Sequence, residues 1–294
     1  MTDAVRTTTT TTVGGVPLCF DEWEGSGPPV IFLHATGFSR GCWRPAAEQL
    51  TDVCRPVAVD LRGHGGSPEL PGPYEWASLA DDIAALVAER WQEPVVLVGH
   101  SVGGAAAVEV AARFDLPIAQ LVLFEPMLQE GEVLGPDQRD PGALSPLVKR
   151  TQRRRAEWDS RAAAIDYLRE RVPYSLWDPT VYLAWTDTGL EDTETGARLS
   201  CSPTVEAAVF ITGRGSRARE LLSDVTCPTW IVRATGDRGM ESTCPPSAPA
   251  ALSDGVDFGV EGSGHFLPLE RPDLVVATLR HALLLRSGSE SAAP

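Results

Sequence analysis

The sequence predicts an α/β fold: a mostly parallel β-sheet covered by helices on both faces, with a helical unit inserted into the chain. Short apolar segments alternate with segments of helical periodicity, which is the pattern of strands connected by covering helices. Most of the apolar segments are unbroken and rich in β-branched residues, as expected of strands buried on both faces. The alternation stops between residues 126 and 222, where a structureless loop of such length would be unusual in a compact domain.

Six segments are predicted to be the strands of this sheet. They are residues 30–34, 56–61, 95–99, 121–124, 230–233 and 256–260. Three amphipathic segments are predicted to be covering helices, at residues 78–91, 102–114 and 272–286, and Ser78 is expected to cap the first of them. Parallel strands joined by helices place their carboxyl ends at one edge of the sheet, where functional groups collect.

These elements divide the chain into a core and an insertion. Residues 13–126 and 223–286 form the predicted α/β core, and residues 127–222 form a predicted helical cap above the sheet. Residues 1–12, which include a run of threonines, and the polar tail 287–294 are expected to be disordered.

The composition limits the classes of partner. The chain has 294 residues, of which 43% are hydrophobic and 22% charged, and its formal net charge is −15 at pH 7. That charge argues against nucleic acid and anionic membrane as partners, because both require clustered Lys and Arg side chains. The sequence therefore favours a small-molecule substrate, and it leaves the oligomeric state undetermined.

Targeting and metal-binding patterns are not found in the sequence. No segment approaches the run of about 18 apolar residues that crosses a membrane, and residues 1–15 lack the apolar core of a signal peptide, so a cytoplasmic location is expected. The six cysteines are scattered without a C-x-x-C pair or a metal-like grouping with the five histidines. They are expected to be free thiols, mostly buried, and no metal site is predicted.

The segment VVLVGHSVGGAAAVEV, residues 95–110, contains the strongest catalytic signal. A predicted strand leads into Ser101, and a predicted helix follows it. A nucleophile on such a turn takes a strained backbone conformation that leaves no room for side chains two residues before and after it, and Gly99 and Gly103 stand at those positions. Glycine motifs that bind phosphate have other spacings. Ser101 is therefore predicted to be a nucleophile.

A serine nucleophile needs a base, and histidine is the side chain suited to that role near neutral pH. Where a serine lies on a turn of this kind in a parallel sheet, the chain order is serine, acid, histidine, which leaves His265 and His281. His281 lies inside the predicted terminal helix, whereas His265 lies in a glycine-flanked loop directly after the last strand. His265 is therefore the predicted base.

Two carboxylates satisfy the same order at the carboxyl ends of strands. Asp237 follows the strand WIVR in the segment WIVRATGDRGM, and Glu125 follows the preceding strand in LVLFEP. Asp237 is predicted to orient His265 and to stabilise its imidazolium form, with Glu125 as the alternative acid. The tetrahedral intermediate also needs two backbone N–H donors, which are expected from Val102 and from the loop 34–38 after the strand VIFLH.

Five motifs in this order resemble those of the α/β-hydrolase superfamily. They are LHATGF, DLRGHGGS, GHSVGG, TGDRG and GSGHFLPLERP. The resemblance covers roughly residues 13–126 and 223–286, and it implies an eight-stranded type of sheet, a serine hydrolase core and a cap inserted between the sixth and seventh strands. It also implies that the second oxyanion donor is Thr36, with Ala35 as the fallback. His34, His64 and His100 then belong to turns whose role in the family is mostly structural.

Aromatic residues near these motifs are candidates for binding substrate. They are Phe38 and Trp43 after the oxyanion loop, Phe266 after the histidine, and Trp177, Tyr182 and Trp185 in the cap. The alternative is that the cap aromatics form the apolar core of the cap. The basic run from Lys149 to Arg155 is predicted to be a solvated helix face, with guidance of a substrate carboxylate as the alternative.

Together these residues predict a cofactor-independent serine hydrolase that cleaves a small, largely apolar ester, lactone or thioester through an acyl-enzyme on Ser101. Three other functions stay open from the sequence. The first is hydrolysis of a carbon–carbon bond in a ketone or β-diketone, the second is a cofactor-free lyase or oxygenase reaction, and the third is non-catalytic binding of a small molecule.

Overall fold

The computed structural model describes residues 5–128, 144–213 and 216–290 of the chain. Its strands form one sheet of eight strands and a smaller sheet of three. The strands are β1 (Arg6–Val13), β2 (Val16–Trp23), β3 (Pro29–Leu33), β4 (Arg55–Val59), β5 (Val95–His100), β6 (Ile118–Phe124), β7 (Glu157–Trp158), β8 (Leu190–Thr193), β9 (Gly196–Leu199), β10 (Thr229–Ala234) and β11 (Gly255–Val260). The helices are α1 (Arg44–Ala47), α2 (Trp76–Arg90), α3 (Val102–Arg113), α4 (Pro146–Gln152), α5 (Arg161–Arg169), α6 (Pro179–Gly189), α7 (Pro203–Thr212), α8 (Leu267–Glu270) and α9 (Pro272–Glu290).

The large sheet has the strand order β1-β2-β4-β3-β5-β6-β10-β11. The pairs β1–β2 and β2–β4 are antiparallel, and the other neighbouring strands are parallel. This arrangement confirms the predicted mostly parallel α/β fold, and β3, β4, β5, β6, β10 and β11 correspond to the six predicted strands. β5 lies between β3 and β6, so the carboxyl ends of these three strands meet at one edge of the sheet.

Apolar clusters cover both faces of the large sheet. Ile31 and Leu33 of β3 belong to a buried cluster with residues of α2 and α3. Val30 and Phe32 of the same strand belong to a second cluster with residues of α1 and α9. Because successive side chains of a strand point to opposite faces, a strand covered on both sides reads as an unbroken apolar segment, and this explains why the sequence pattern located the central strands.

The threonine run forms a strand, so the prediction of a disordered lead over residues 1–12 is wrong for its described part. Arg6–Val13 form β1, which pairs along its whole length with β2. The Thr8 hydroxyl also donates to Asp21 Oδ1 at 2.7 Å. Threonine is β-branched and packs well on a pleated surface, which is a stronger effect here than the low complexity of the run. Residues 1–4 lie outside the described residues.

Two predicted helix boundaries are also corrected. α9 continues to Glu290, so residues 287–290 of the predicted disordered tail are helical, and residues 291–294 lie outside the described residues. α2 begins at Trp76, so Ser78 lies within its first turn and does not cap it. The Trp76 indole N–H donates to the Val209 carbonyl at 2.8 Å, and this contact ties the start of α2 to the inserted segment.

The inserted segment between β6 and β10 contains α4 to α7 and, in contrast to the prediction of a purely helical cap, the small antiparallel sheet β7-β9-β8. β8 and β9 have four residues each, and in β9 Ala197 and Leu199 are buried while Arg198 is exposed. Strands this short contain too few alternations for a sequence pattern to reveal them. The predicted cap residues 129–143 and 214–215 lie outside the described residues.

Three further expectations concern membrane-spanning helices, metal sites and the cysteines. Among the residues that the structure describes, no helix has the length and hydropathy needed to cross a membrane. The same described ranges contain no group of His, Cys, Asp and Glu side chains that could hold a metal ion. All six cysteines are free, and only Cys227 is not fully buried, which agrees with the prediction of free thiols.

Candidate active site

Ser101 lies on the sharp turn between β5 and α3. Its backbone has φ 55° and ψ −117°, a conformation that is strained for a residue with a side chain. A Cβ atom at Gly99 would lie 2.5 Å from the Gly103 carbonyl oxygen, and one at Gly103 would lie 2.4 Å from the Leu33 carbonyl oxygen. Both glycines are therefore required by close backbone contacts, and the turn lifts the Ser101 hydroxyl over the edge of the sheet.

His265 lies in the loop between β11 and α8, and its Nε2 is 3.0 Å from Ser101 Oγ. Two backbone contacts hold this residue in place. Its N–H donates to the Met240 carbonyl at 2.9 Å, and its own carbonyl accepts a hydrogen bond from His100 Nε2 at 2.8 Å. The structure thus brings together the serine and the histidine that the sequence singled out.

The carboxylate that faces His265 belongs to Glu125, the alternative acid. Glu125 directly follows β6 with φ 47°, and its side chain is fully buried. Its Oε2 lies 3.4 Å from His265 Nδ1. The carboxylate also accepts hydrogen bonds from Ser242 Oγ at 2.8 Å and from the N–H groups of Ala234 and Thr243 at 2.5 and 3.1 Å. These donors replace the water that a buried carboxylate loses.

Asp237 does not reach His265, so the structure corrects the prediction of Asp237 as the orienting acid. Its side chain is exposed, and it has no hydrogen bond or ion pair with any residue that the structure describes. The reason is the path of the chain after β10, where residues 235–241 lead outward and Gly239 packs against Leu176 of the cap. The space at the end of β10 is filled instead by Ser242 and Thr243, which return to Glu125.

Thr243 is a member of this site that the sequence did not indicate. Its hydroxyl oxygen lies 3.0 Å from His265 Nδ1 and donates to the main-chain carbonyl of Glu125 at 3.3 Å. The side chain is 1% exposed. A lone threonine in the segment MESTCPP has no spacing that distinguishes it from an ordinary loop residue, and no sequence signal could have found it.

The backbone donors expected for an oxyanion are the N–H of Val102, which follows the serine in the chain, and one N–H of the loop after β3. Val102 is the first residue of α3, so its N–H has no carbonyl four residues earlier in the helix to bind. In the loop after β3, the N–H of Gly37 donates to His64 Nε2 at 3.1 Å and the N–H of Phe38 donates to the Ala35 carbonyl at 3.1 Å. Ala35 and Thr36, the candidate oxyanion donors from the sequence, precede Gly37 and Phe38 in this loop.

His34 and His64 fix the shape of the loop after β3. His34 Nδ1 donates to the Ala35 carbonyl at 2.8 Å while its Nε2 accepts the Leu61 N–H at 3.0 Å. His64 is held in the same way, because its Nδ1 donates to the Arg62 carbonyl at 3.0 Å and its Nε2 accepts from Gly37. Burial lowers the pKa of His34 to about 4 and that of His64 to about 3. Both rings are therefore neutral, with the hydrogen on Nδ1.

The free energy of unfolding is expected to fall as the pH is lowered from about 6.5 to about 5. Burial holds the pKa of His34, His64 and His100 below 6.5, so the unfolded chain binds protons in this range that the folded chain does not. Each histidine should remove about 1.5 kcal/mol over that interval, and stability returns as the pH rises through 6.5. Denaturant unfolding at a series of pH values measures the slope.

A matched control and a second measurement separate these histidines from other groups. His281→Asn changes an exposed position and should leave the slope unaltered. Burial raises the pKa of Asp60 and of Glu206, so protonation of these carboxyls at low pH favours the folded protein and offsets the effect of the histidines. The nitrogen chemical shifts of the imidazoles should therefore be followed directly. Rings of His34 and His64 that are protonated at pH 5 in the folded protein would contradict the prediction.

The aromatic candidates divide into two groups. Phe38 lies near the site and packs against Trp177 with ring centroids 4.7 Å apart, and the Phe266 ring lies 5.5 Å from that of His265. Tyr182 and Trp185 are buried in the apolar core of the cap, and the Tyr182 hydroxyl donates to the Ile165 carbonyl. For these two residues the structure favours the alternative of a cap core.

The prediction that Trp43 binds substrate is also corrected, because Trp43 does not lie at the active site. It is 1% exposed and belongs to the cluster on the α1 and α9 side of the sheet. Its ring packs against Phe32 and Phe124 with centroids 5.3 and 6.3 Å apart. The position of Trp43 in the chain, shortly after the oxyanion loop, suggested the site, but the short helical turn Arg40–Trp43 directs the ring into the core.

The basic run is not uniformly solvated. Arg154 donates to Glu206 Oε2 at 2.6 Å and to the Tyr174 hydroxyl at 2.9 Å, and its side chain is 22% exposed. A Cβ atom at Gly37 would lie 2.7 Å from Glu206 Oε1, so this ion pair packs the cap directly onto the loop after β3. The prediction of a solvated face is wrong for Arg154, and the carboxylate that it binds is one of the protein's own.

A mostly parallel sheet that presents a serine, a histidine and a buried carboxylate at the carboxyl ends of its strands defines a hydrolase of the α/β class. Comparison with known proteins agrees. The Alpha/beta hydrolase family matches residues 30–278, so this chain belongs to that family.

Relatives with known activities are similar over different lengths. The chain is 27% identical over 260 residues to 2-(acetamidomethylene)succinate hydrolase from Mesorhizobium japonicum, covering 87% of this chain and 88% of that protein. It is 36% identical over 110 residues to pimeloyl-[acyl-carrier protein] methyl ester esterase from Pseudoalteromonas atlantica, which covers 36% of this chain and 41% of the esterase. The crystal structure of E-2-(acetamidomethylene)succinate hydrolase superimposes with a TM-score of 0.76 at 24% identity, covering 94% of this chain and 98% of that one.

Proposed function

We propose that the protein is a cofactor-independent serine hydrolase that cleaves a small, largely apolar ester, lactone or thioester through an acyl-enzyme on Ser101. The observation that carries this proposal is the contact of 3.0 Å between Ser101 Oγ and His265 Nε2, on a strained turn and beside a buried carboxylate. Nucleophile, base and orienting acid are then Ser101, His265 and Glu125.

The reaction begins when Ser101 Oγ attacks the substrate carbonyl carbon and His265 Nε2 takes the hydroxyl proton. The carbonyl oxygen becomes an oxyanion, for which the N–H of Val102 and that of Thr36 or Ala35 are the proposed donors. The carbon–oxygen or carbon–sulfur bond to the leaving group then breaks, and His265 gives the proton to that group. Water, deprotonated by His265, attacks the acyl group and restores the Ser101 hydroxyl.

Glu125 supports this cycle from the far side of the imidazole. A carboxylate beside Nδ1 keeps the hydrogen on that nitrogen, so that Nε2 is free to accept the serine proton, and it stabilises the imidazolium that forms. The substrate class is supported by the apolar ring of Phe266, which packs against the His265 ring, and by that of Phe38, which packs against Phe266. The relatives named above are a 2-(acetamidomethylene)succinate hydrolase and a methyl ester esterase, which supports a hydrolytic reaction.

Intact-mass detection of an acyl-enzyme tests the proposal. The wild-type protein is mixed with a panel of p-nitrophenyl esters, lactones and β-diketones, quenched in acid and compared with Ser101→Ala. We expect a mass increase equal to the acyl group for at least one ester or lactone, located on Ser101 by peptide mapping and missing from the variant. Turnover of an ester without any adduct would contradict the acyl-enzyme, and no reaction with either the panel or a fluorophosphonate would argue for the lyase or binding alternatives.

A further inference from the structure

We infer that Thr243 is a positioning residue for His265: its hydroxyl accepts the hydrogen bond from Nδ1–H of the imidazole and, together with Glu125, fixes the ring's tautomer and orientation. The inference rests on the proposed function, in which Nε2 of the same ring takes the Ser101 proton. It assigns to a threonine part of a role that the triad scheme gives to a carboxylate alone.

The distances favour the hydroxyl over the carboxylate as the first acceptor. Thr243 Oγ1 lies 3.0 Å from His265 Nδ1, whereas Glu125 Oε2 lies 3.4 Å from it. An N–H···O hydrogen bond is ordinarily about 2.9–3.0 Å long and weakens as the distance grows. The imidazole N–H therefore has its better-placed partner in Thr243, with Glu125 as the charged group behind it.

The direction of this hydrogen bond is set by a second contact. A hydroxyl can donate or accept, so proximity alone does not fix the tautomer of the imidazole. Thr243 Oγ1 also lies 3.3 Å from the main-chain oxygen of Glu125, which can only accept. With the hydroxyl proton donated there, the oxygen lone pairs face Nδ1, and Nδ1 must carry its hydrogen. Nε2 is then the bare nitrogen, 3.0 Å from Ser101 Oγ.

Thr243 is held rigidly enough to act in this way. Its N–H donates to Glu125 Oε2 at 3.1 Å, and its carbonyl accepts the Leu128 N–H at 3.2 Å. All of its polar atoms are thus paired while the residue is 1% exposed. A shift of Thr243 would leave several buried polar groups without partners, which is costly, so the hydroxyl stays aligned with the ring.

The contact matters most when His265 carries the proton taken from Ser101. A hydrogen bond from a charged donor is stronger than one from a neutral donor, so the hydroxyl stabilises the imidazolium more than the neutral ring. Removing the hydroxyl leaves Nδ1–H with the acceptor at 3.4 Å alone. The loss should appear in the rate of the chemical step and in the proton affinity of the base, and not in substrate binding.

Thr243→Val removes the hydroxyl at nearly constant volume and is the direct test. We expect kcat for the best p-nitrophenyl ester to fall about 10- to 100-fold with KM unchanged. The acid limb of the pH profile of kcat/KM should move to lower pH by about half a unit to one unit, since the imidazolium loses an acceptor while Glu125 and His100 stay in place. Thr243→Ser keeps the hydroxyl and should restore both quantities.

Thr229→Val is the matched control. Thr229 is fully buried, and its hydroxyl donates to the Cys227 carbonyl at 3.1 Å at the opposite end of β10. The control should lose stability with little effect on kcat or on the pH profile. In the unmutated protein, the Nδ1–H resonance of His265 should show a nuclear Overhauser effect to the Thr243 side chain, and this measurement does not depend on the folding of any variant.

Three results would overturn the inference: wild-type kcat and pH profile in Thr243→Val, failure of Thr243→Ser to restore activity, or no Overhauser effect. Acyl-enzyme formation on Ser101 of the wild-type protein tests the proposed function independently of Thr243. If the acyl-enzyme forms while Thr243→Val behaves as wild type, only the assignment of Thr243 is wrong. If no acyl-enzyme forms, the proposed function fails first.

Discussion

Ser101→Ala is expected to lower kcat for an aryl ester by about 10⁶-fold, and His265→Ala by a similar factor. In the proposed mechanism both residues act in the same step, because a serine is a poor nucleophile until an imidazole takes its proton. Their effects should therefore not add: the double variant should be about as slow as either single one. Steady-state rates at saturating substrate, with protein freshly purified from separate preparations to exclude contamination, measure these factors.

Controls at distant positions keep the result specific. Ser253→Ala removes a hydroxyl that donates to the Val225 carbonyl at 3.2 Å, and His281→Ala changes an exposed ring, so both should retain full activity. A cofactor-free lyase or oxygenase would behave differently. In that case Ser101→Ala would keep most of the activity on the true substrate while His265→Ala abolished it, and the acyl-enzyme scheme would have to be abandoned.

Glu125→Gln is expected to lower kcat by about 10⁴-fold, whereas Asp237→Asn should stay within about twofold of the wild type. The Glu125 carboxylate accepts from Ser242 and from two backbone N–H groups while it faces His265. An amide brings its own N–H group into this set of donors and no longer stabilises the imidazolium. Asp237 is exposed and meets none of these groups. Paired kinetic assays and thermal unfolding of both variants make the comparison.

The stability measurement guards against misreading a folding defect. Loss of a buried carboxylate with three donors also destabilises the fold, so activity is compared at a temperature where Glu125→Gln is fully folded. Glu125→Asp retains the charge but shortens the side chain, and it should fall between the wild type and the amide. If Asp237→Asn lost about 10³-fold in kcat while Glu125→Gln kept normal turnover, the acid would be Asp237 after all.

Much of the core could be read from the sequence because burial on both faces leaves a continuous apolar signature. β3, β5, β6 and β10 are all covered by helices on either side, and each contains an unbroken apolar run in the sequence. Three of the elements that were missed lack that signature. β1 is a largely exposed run of threonines, and β8 and β9 are four-residue strands whose side chains are partly solvated.

The position of the cap in the chain could be predicted from the sequence, but its contacts could not. The break in alternation located an insertion, since a long segment without strands must form its own compact unit. Nothing in the run from Lys149 to Arg155 distinguishes Arg154 from its neighbours, yet Arg154 alone of these residues pairs with the buried Glu206. The residue of the basic run that turns inward is set by where α4 ends and by how closely α7 packs against it. Neither feature can be predicted from the local sequence pattern.

The sequence by itself determined the α/β fold, the turn that holds Ser101 and the loop that holds His265. Those features follow from apolar strands, from glycines where a Cβ atom would collide, and from the chain order serine, acid, histidine that this fold uses. Only the tertiary structure places Glu125, and not Asp237, beside His265 and brings Thr243 to the same ring. Both carboxylates follow a strand of the same sheet, and the choice depends on how far the chain after β10 travels before it returns to β6, a distance that no residue pattern in either segment specifies.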